Sequence, residues 1–208
     1  GNLDSTAIGD YLTNGEVLII DRGYSIQGNP LGYKKVKIDY SISTDTYQFR
    51  SSSLDGSSDT TLTIEKDTNY NFLAFSFNSN SLIDIEPNKS DWDLLFTKYL
   101  EIFPGFGPYG VTGVLTNTFQ STEVAIDTVN DFASISYDVI QQYEFSLDMN
   151  SIGWDWKSYD MSSGSYTVDV TKNYIIKNQN GIYFKLRFID FYDDIGDKGS
   201  PKFEIQKL

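Results

Sequence analysis

The run Gly181-Ile-Tyr-Phe-Lys-Leu-Arg-Phe-Ile-Asp-Phe191 decides the fold class. Side chains alternate across a strand with a period of two. Ile182, Phe184, Leu186 and Phe188 therefore share one wholly apolar face, while Tyr183, Lys185, Arg187, Ile189 and Phe191 share the other. One face in a core and the other partly wet is the pattern of a strand central to its sheet. Working outward, Asn178-Gln-Asn-Gly181 reads as a turn, because Asn and Gly tolerate positive φ. It folds Asn173-Tyr-Ile-Ile-Lys177 back onto the central strand. Gly196, Gly199 and Pro201 make a second turn before Lys202-Phe-Glu-Ile205, and Tyr166-Thr-Val-Asp-Val170 precedes them all. The C-terminal stretch reads as a meander of four strands.

The rest of the chain has the same character. Asn2 to Asn14 is a weakly periodic lead-in. Gly15 to Asp21 reads as a buried strand and Lys35 to Tyr40 alternates cleanly, with a Gly28 to Gly32 loop between them and Ser41 to Tyr47 as a continuation. Ser51 to Thr61 is a polar loop or hairpin tip; Thr61 to Glu65 and Tyr70 to Phe77 resume strand character. In Asp91 to Tyr99, Trp92, Leu94, Phe96 and Lys98 fall on one face. Phe103-Pro-Gly-Phe-Gly-Pro-Tyr-Gly110 is the strongest loop signal, followed by a short strand at Val111 to Leu115. Thr122 to Gln142 is the best helix candidate, although only a few apolar pairs there have i, i+3 or i+4 spacing. These readings predict an all-β, antiparallel sandwich-like fold with one or two short helices. No repeat or linker divides it, so one domain over 1–208 is expected.

Composition narrows the function classes. The 208 residues hold 16 Lys plus Arg against 29 Asp plus Glu, a formal charge of −13, which argues against nucleic acid or an anionic membrane as partner. Cysteine is absent, which removes disulfides and thiolate metal sites. Histidine is absent too, which removes the commonest general base, the commonest transition-metal ligand and the usual serine triad. No apolar run approaches the ~18 residues of a spanning helix, and no signal-peptide pattern stands at the N-terminus. Asp190, Asp193, Asp194 and Asp197 lack the order of a calcium-binding EF-hand loop and read as a solvated turn. Asp91 and Asp93 have the separation of glycosidase carboxylates, ~5–10 Å, but nothing in the sequence raises the pKa of either. With no phosphate loop, nucleophile elbow or metalloprotease signature, a non-enzymatic protein is expected.

Four stretches carry a family resemblance. Asp91-Trp-Asp-Leu-Leu-Phe-Thr-Lys-Tyr99, Val111-Thr-Gly-Val-Leu-Thr-Asn117, Ile152-Gly-Trp-Asp-Trp-Lys157 and Tyr183 to Tyr192 with Gly196 to Glu204 resemble the HmuY-type haem-binding lipoproteins of Gram-negative bacteria. The resemblance covers roughly Asp91 to Leu208. It implies an all-β, hand-like fold. It also implies a cell-surface or shed lipoprotein that takes haem from host haemoproteins and passes it to a TonB-dependent outer-membrane receptor. The best-known members hold the iron between two histidines, and this chain has none.

Protein ligands to haem iron are His, Cys, Met or Tyr, so Met and Tyr remain. The two methionines, Met149 and Met161, flank one segment and are the candidate axial ligands to haem b. Trp154, Trp156 and Tyr159 between them are candidate pocket walls, Lys157 a candidate propionate partner, and Tyr109 a reserve ligand. The competing reading of the same residues is ordinary: methionine usually fills core gaps, and Trp154 and Trp156 share a strand face that is more often core than pocket. The alternative function is a non-haem surface module, for glycan or protein, on the same fold.

Overall fold

The computed structural model describes residues 15–25 and 27–208; the lead-in at 2–14 lies outside them. The chain divides into two compact units, Gly1–Ile85 and Glu86–Leu208. Nearly all regular structure is antiparallel β. Among the described residues no helix is long and apolar enough to cross a membrane.

In the N-terminal unit β1 (Leu18–Asp21), β2 (Tyr33–Ser41), β3 (Thr46–Ser52) and β4 (Thr60–Glu65) form one sheet in that order. Ser41 to Tyr47 does not continue β2: residues 42–45 form a turn that Asp45 closes at φ 52°, in the left-handed region that short polar side chains tolerate. The sheet's apolar face carries Val36, Ile64 and Phe49, and the Phe49 ring lies 4.4 Å from that of Phe75. Of the expected strand at Tyr70 to Phe77 only Ala74–Ser76 (β5) is extended, paired with Ser81–Ile83 (β6).

The C-terminal unit is built on a sheet of order β14-β13-β12-β9, from Lys198–Lys207 (β14), Tyr183–Tyr192 (β13), Asn173–Lys177 (β12) and Glu123–Asp127 (β9). Three of its strands are the expected consecutive neighbours. The fourth is a correction: Glu123–Asp127 is a strand, because Val124 and Ala125 bury on opposite faces of the sheet. Only the later part of the helix candidate is helical, as 3-10 turns at Phe132–Ser134 and Tyr137–Gln142. Tyr166 to Val170 also leaves the meander. Its strand β11 (Ser165–Val168) pairs instead with β10 (Lys157–Asp160).

Both faces of this sheet are covered. On one, Val124, Tyr174, Ile176, Leu186 and Phe188 pack with Val114, Ile152 and Trp156. On the other, Ala125 and Ile175 pack with Ile135 and Ile140 from the 3-10 segments. Two covered faces explain why Asn173–Ile176 is buried without alternation. Lys185, expected to be partly wet, is buried for the same reason. Its ammonium donates to the carbonyls of Phe132 (2.7 Å) and Ile135 (2.9 Å), tying the 3-10 segment to the sheet.

The strict alternation expected along β13 also breaks once. Register shifts against β14 between Phe188, Asp190 and Tyr192 insert a bulge, which turns Phe191 to the side of Leu186 and Phe188. Above that face lies the hairpin of β7 (Leu94–Phe103) and β8 (Gly107–Thr116), with Phe96 stacked 5.3 Å from Phe203. The expected loop at Phe103 to Gly110 shrinks to a tight turn at 104–106, with Gly105 and Gly107 at φ 78° and 95°, and its second half joins β8.

Candidate functional site

A cleft of about 360 Å³ opens in the C-terminal unit where five segments meet. The end of β7 gives Phe103, and β8 gives Tyr109 and the backbone through Thr112. The connection before β10 gives Trp154, the β10–β11 hairpin gives Lys157, Tyr159 and Tyr166, and the start of β14 gives Lys198. The hairpin register sets Tyr159 directly opposite Tyr166, with ring centroids 4.9 Å apart. Phe103 meets Trp154 at 5.1 Å and Tyr109 at 6.1 Å, both edge to face. Tyr166 continues inward to Phe191 at 4.9 Å, so this wall is anchored in the core.

The cleft is aromatic and positive. Lys157 is buried, its apolar stem lying between ring systems. Its ammonium sits 4.1 Å from the Trp156 ring and 4.8 Å from that of Phe191. It donates to the Thr112 carbonyl at 2.5 Å and the Trp154 carbonyl at 3.3 Å. An ammonium has three donors, and the third has no hydrogen-bond partner among the described residues. Burial pushes the Lys157 pKa down to about 8 against the opposing pull of Asp155, whose carboxylate is engaged by Lys172 at 2.7 Å. Lys198 lies 6.0 and 5.9 Å from the Tyr159 and Tyr166 rings. Among the described residues no carboxylate lines the cleft.

Of the residues singled out from sequence, Tyr109, Trp154, Lys157 and Tyr159 come together here. Trp156 is fully buried beneath them in the core, stacked on Phe188. Met161 stands at the tip of the β10–β11 hairpin, two residues beyond Tyr159 and 89% exposed. Met149 is half-buried in the turn whose carbonyl accepts from Thr116 N–H at 2.7 Å. Neither methionine is among the residues that line the cleft.

Phe103, Tyr166 and Lys198 escaped the sequence reading. The turn signal Asp160-Met-Ser-Ser-Gly164 holds enough information to set Tyr166 opposite Tyr159; nothing local points to Lys198. The acidic stretch at 190–197 is a turn organised by Asp193, which accepts from the N–H groups of Ile195 (3.0 Å) and Asp197 (2.8 Å). Among the described residues no cluster of three or more acidic side chains is arranged to hold a metal ion. Asp93 accepts from the Thr122 hydroxyl at 2.8 Å and Gln179 N–H at 3.3 Å, which makes it a tie between loops.

The N-terminal unit has a larger apolar hollow of about 580 Å³, lined in part by Phe49, Phe72, Leu73 and Phe75. Its one cation, Lys66, is already 3.0 Å from Asp45. It therefore offers an anion less than the cleft does.

The family model described as HmuY protein matches residues 66–205. One solved structure with a related chain is described as a candidate HmuY-like haem-binding protein from Bacteroides vulgatus ATCC 8482. It is 17% identical, the match covering 64% of this chain and 82% of that one, with a TM-score of 0.32. No curated protein matches the chain.

Proposed function

Since the chain belongs to the HmuY family, we propose that it binds haem in the aromatic cleft of the C-terminal unit and carries it without chemical turnover. The family relation supports haem binding at the level of the family. The observation that carries the placement is the pairing of aromatic walls with two ammonium groups and no lining carboxylate, in a chain whose net charge is −13. A porphyrin needs apolar ring contact and a counter-charge for its two propionates, and the cleft has both. Its lining residues, 103–198, fall wholly inside the matched region, whereas Ile38, Tyr47, Phe49 and Ile64 of the N-terminal hollow precede it.

In this reading Trp154, Tyr159 and Phe103 would hold the ring of haem b, and Lys157 and Lys198 would meet its propionates. Met161 is the thioether nearest the cleft along the chain and would be the first choice of iron ligand. Met149 and Tyr109 are the further donors that the composition allows. Thioether sulfur is a soft, neutral donor, so ligation by methionine favours ferrous iron.

Uptake from host haemoproteins and delivery to an outer-membrane receptor, from a cell-surface or shed lipoprotein, complete the proposal. Its support is the distal part of the β7–β8 hairpin, which exposes Leu100, Ile102 and Phe106 beside the cleft. The same apolar tip favours the second reading, a protein-binding module that takes no haem.

Titration with ferric and dithionite-reduced haem, followed at the Soret band, separates the two. A stoichiometric complex, stronger for ferrous haem and weakened by Met161→Ala, is expected. No complex in either state sinks the haem reading and leaves the module.

A further inference from the structure

We propose that for ferric haem the ring and its carboxylates, rather than the iron, carry recognition in this cleft, so that it accepts metal-free porphyrins bearing free carboxylates as well. The inference rests on the haem reading above and deepens it.

Protein ligands to haem iron are His, Cys, Met or Tyr. Of these only tyrosine lines the cleft, as Tyr109, Tyr159 and Tyr166: the chain has no His or Cys, and neither methionine is among the lining residues. What the cleft offers is ring surface and positive charge. Phe103, Trp154 and Tyr159 supply apolar faces whose contact energy is the same whether or not a metal sits in the macrocycle.

The polar end is built for an anion. Lys157 is buried, with two donors fixed by backbone carbonyls and a third without a protein partner. A buried ammonium with no carboxylate within salt-bridge distance has paid its desolvation before any ligand arrives, so a carboxylate docking there gains a charge-assisted hydrogen bond in a low-dielectric setting. Lys198 stands at the exposed lip, 6.0 Å from the Tyr159 ring. A planar ligand with two carboxylates can therefore meet one buried and one exposed cation. Neither interaction uses the metal.

The test uses protoporphyrin IX, its dimethyl ester and ferric haem, each titrated against the full chain by quenching of tryptophan fluorescence. Protoporphyrin IX is expected to bind within about tenfold of ferric haem, and the ester to bind at least about tenfold more weakly, the loss of one charged hydrogen bond. Lys157→Met should weaken both free acids by about tenfold while leaving the ester unchanged. Lys198→Gln, at an exposed position, should move the acids in the same direction to a smaller extent. Haem binding with protoporphyrin more than tenfold weaker would overturn the inference and hand recognition to the iron. Equal binding of acid and ester would overturn it by removing the carboxylate. Failure of every ligand, haem included, would instead sink the haem reading itself.

Discussion

The indole of Trp156 lies flat on the ring of Phe188, centroids 3.9 Å apart and planes 15° apart. Both are fully buried, and Phe188 also meets Tyr174 edge to face at 5.9 Å and approaches Phe203 from β14 at 6.2 Å. The pair joins the floor of the cleft to the main sheet. Phe188→Ala removes the shared ring and is expected to cost ~3–5 kcal/mol, read as a lower midpoint in urea unfolding. A loss below about 1 kcal/mol would show that the site collapses around the gap.

Lys157 makes stability depend on alkaline pH. Burial lowers its folded pKa from the ordinary 10.5 to about 8. Between these values the unfolded chain holds more protons, so this group makes stability rise with pH across that window. Below about 8 its charge is a constant penalty. The difference in stability between the native chain and Lys157→Met, measured from pH 7 to 10, should therefore narrow or reverse in the native chain's favour as pH rises. A constant difference would mean that Lys157 titrates as a solvated lysine does. The charges facing it are Lys198 and the Asp155–Lys172 pair, so the variant comparison isolates its own contribution.

Asp127 acts in the opposite range. Burial alone would raise its pKa, but Tyr143 donates at 2.5 Å, the Asn130 side chain and N–H at 2.8 and 2.9 Å, and Val129 N–H at 2.8 Å, and together they hold it at about 2. A depressed carboxylate contributes stability that is present above its unfolded pKa, near 4, and is lost as pH falls through the folded value. Acid unfolding should therefore steepen between pH 4 and 2. Asp127→Asn should flatten that slope while lowering stability at pH 7, as circular dichroism across the range would record.

Gly113 and Gly153 let two backbones touch. Val114 and Gly153 exchange backbone hydrogen bonds of 2.9 and 3.1 Å, and a Cβ on Gly113 would stand 2.5 Å from the Gly153 carbonyl oxygen. That oxygen is fixed by its own bond to Val114, so the clash cannot be relieved by a side-chain turn. Gly113→Ala should cost ~1–3 kcal/mol, seen as a lower thermal midpoint. An unchanged midpoint would mean that the 150–153 turn can withdraw freely.

The sequence pattern makes the sheet legible where one residue decides one face. Phe188 and Leu186 follow from alternation, and β12 follows from an apolar run too short to be a helix. What escapes are features set by partners remote in sequence. Lys185 reads as wet until the 3-10 segment covers it, and Glu123–Asp127 reads as helical until β12 is placed beside it. Phe191 reads as outward because a bulge leaves no mark in composition. At the cleft, Trp154, Lys157 and Tyr159 stand out in sequence as an aromatic run around one lysine, and Tyr109 as a tyrosine in a Pro/Gly-rich loop. Lys198 does not, since its position depends on where β14 begins.

The place of β9 sets an order of assembly. β12, β13 and β14 are joined by short turns, and β7–β8 and β10–β11 are local hairpins. Each can form by closing a small loop, on the microsecond scale of hairpins. β9 pairs along its length with β12, Asp127 opposite Asn173, and Val124 also bridges to Ser146, so docking β9 on β12 encloses both 3-10 segments and the β10–β11 hairpin. Closing that long loop is the entropically expensive, late step. Until it happens, the exposed edge of β12 offers Tyr174 and Ile176 to any extended chain nearby. A newly made molecule is therefore most vulnerable to mispairing along this edge.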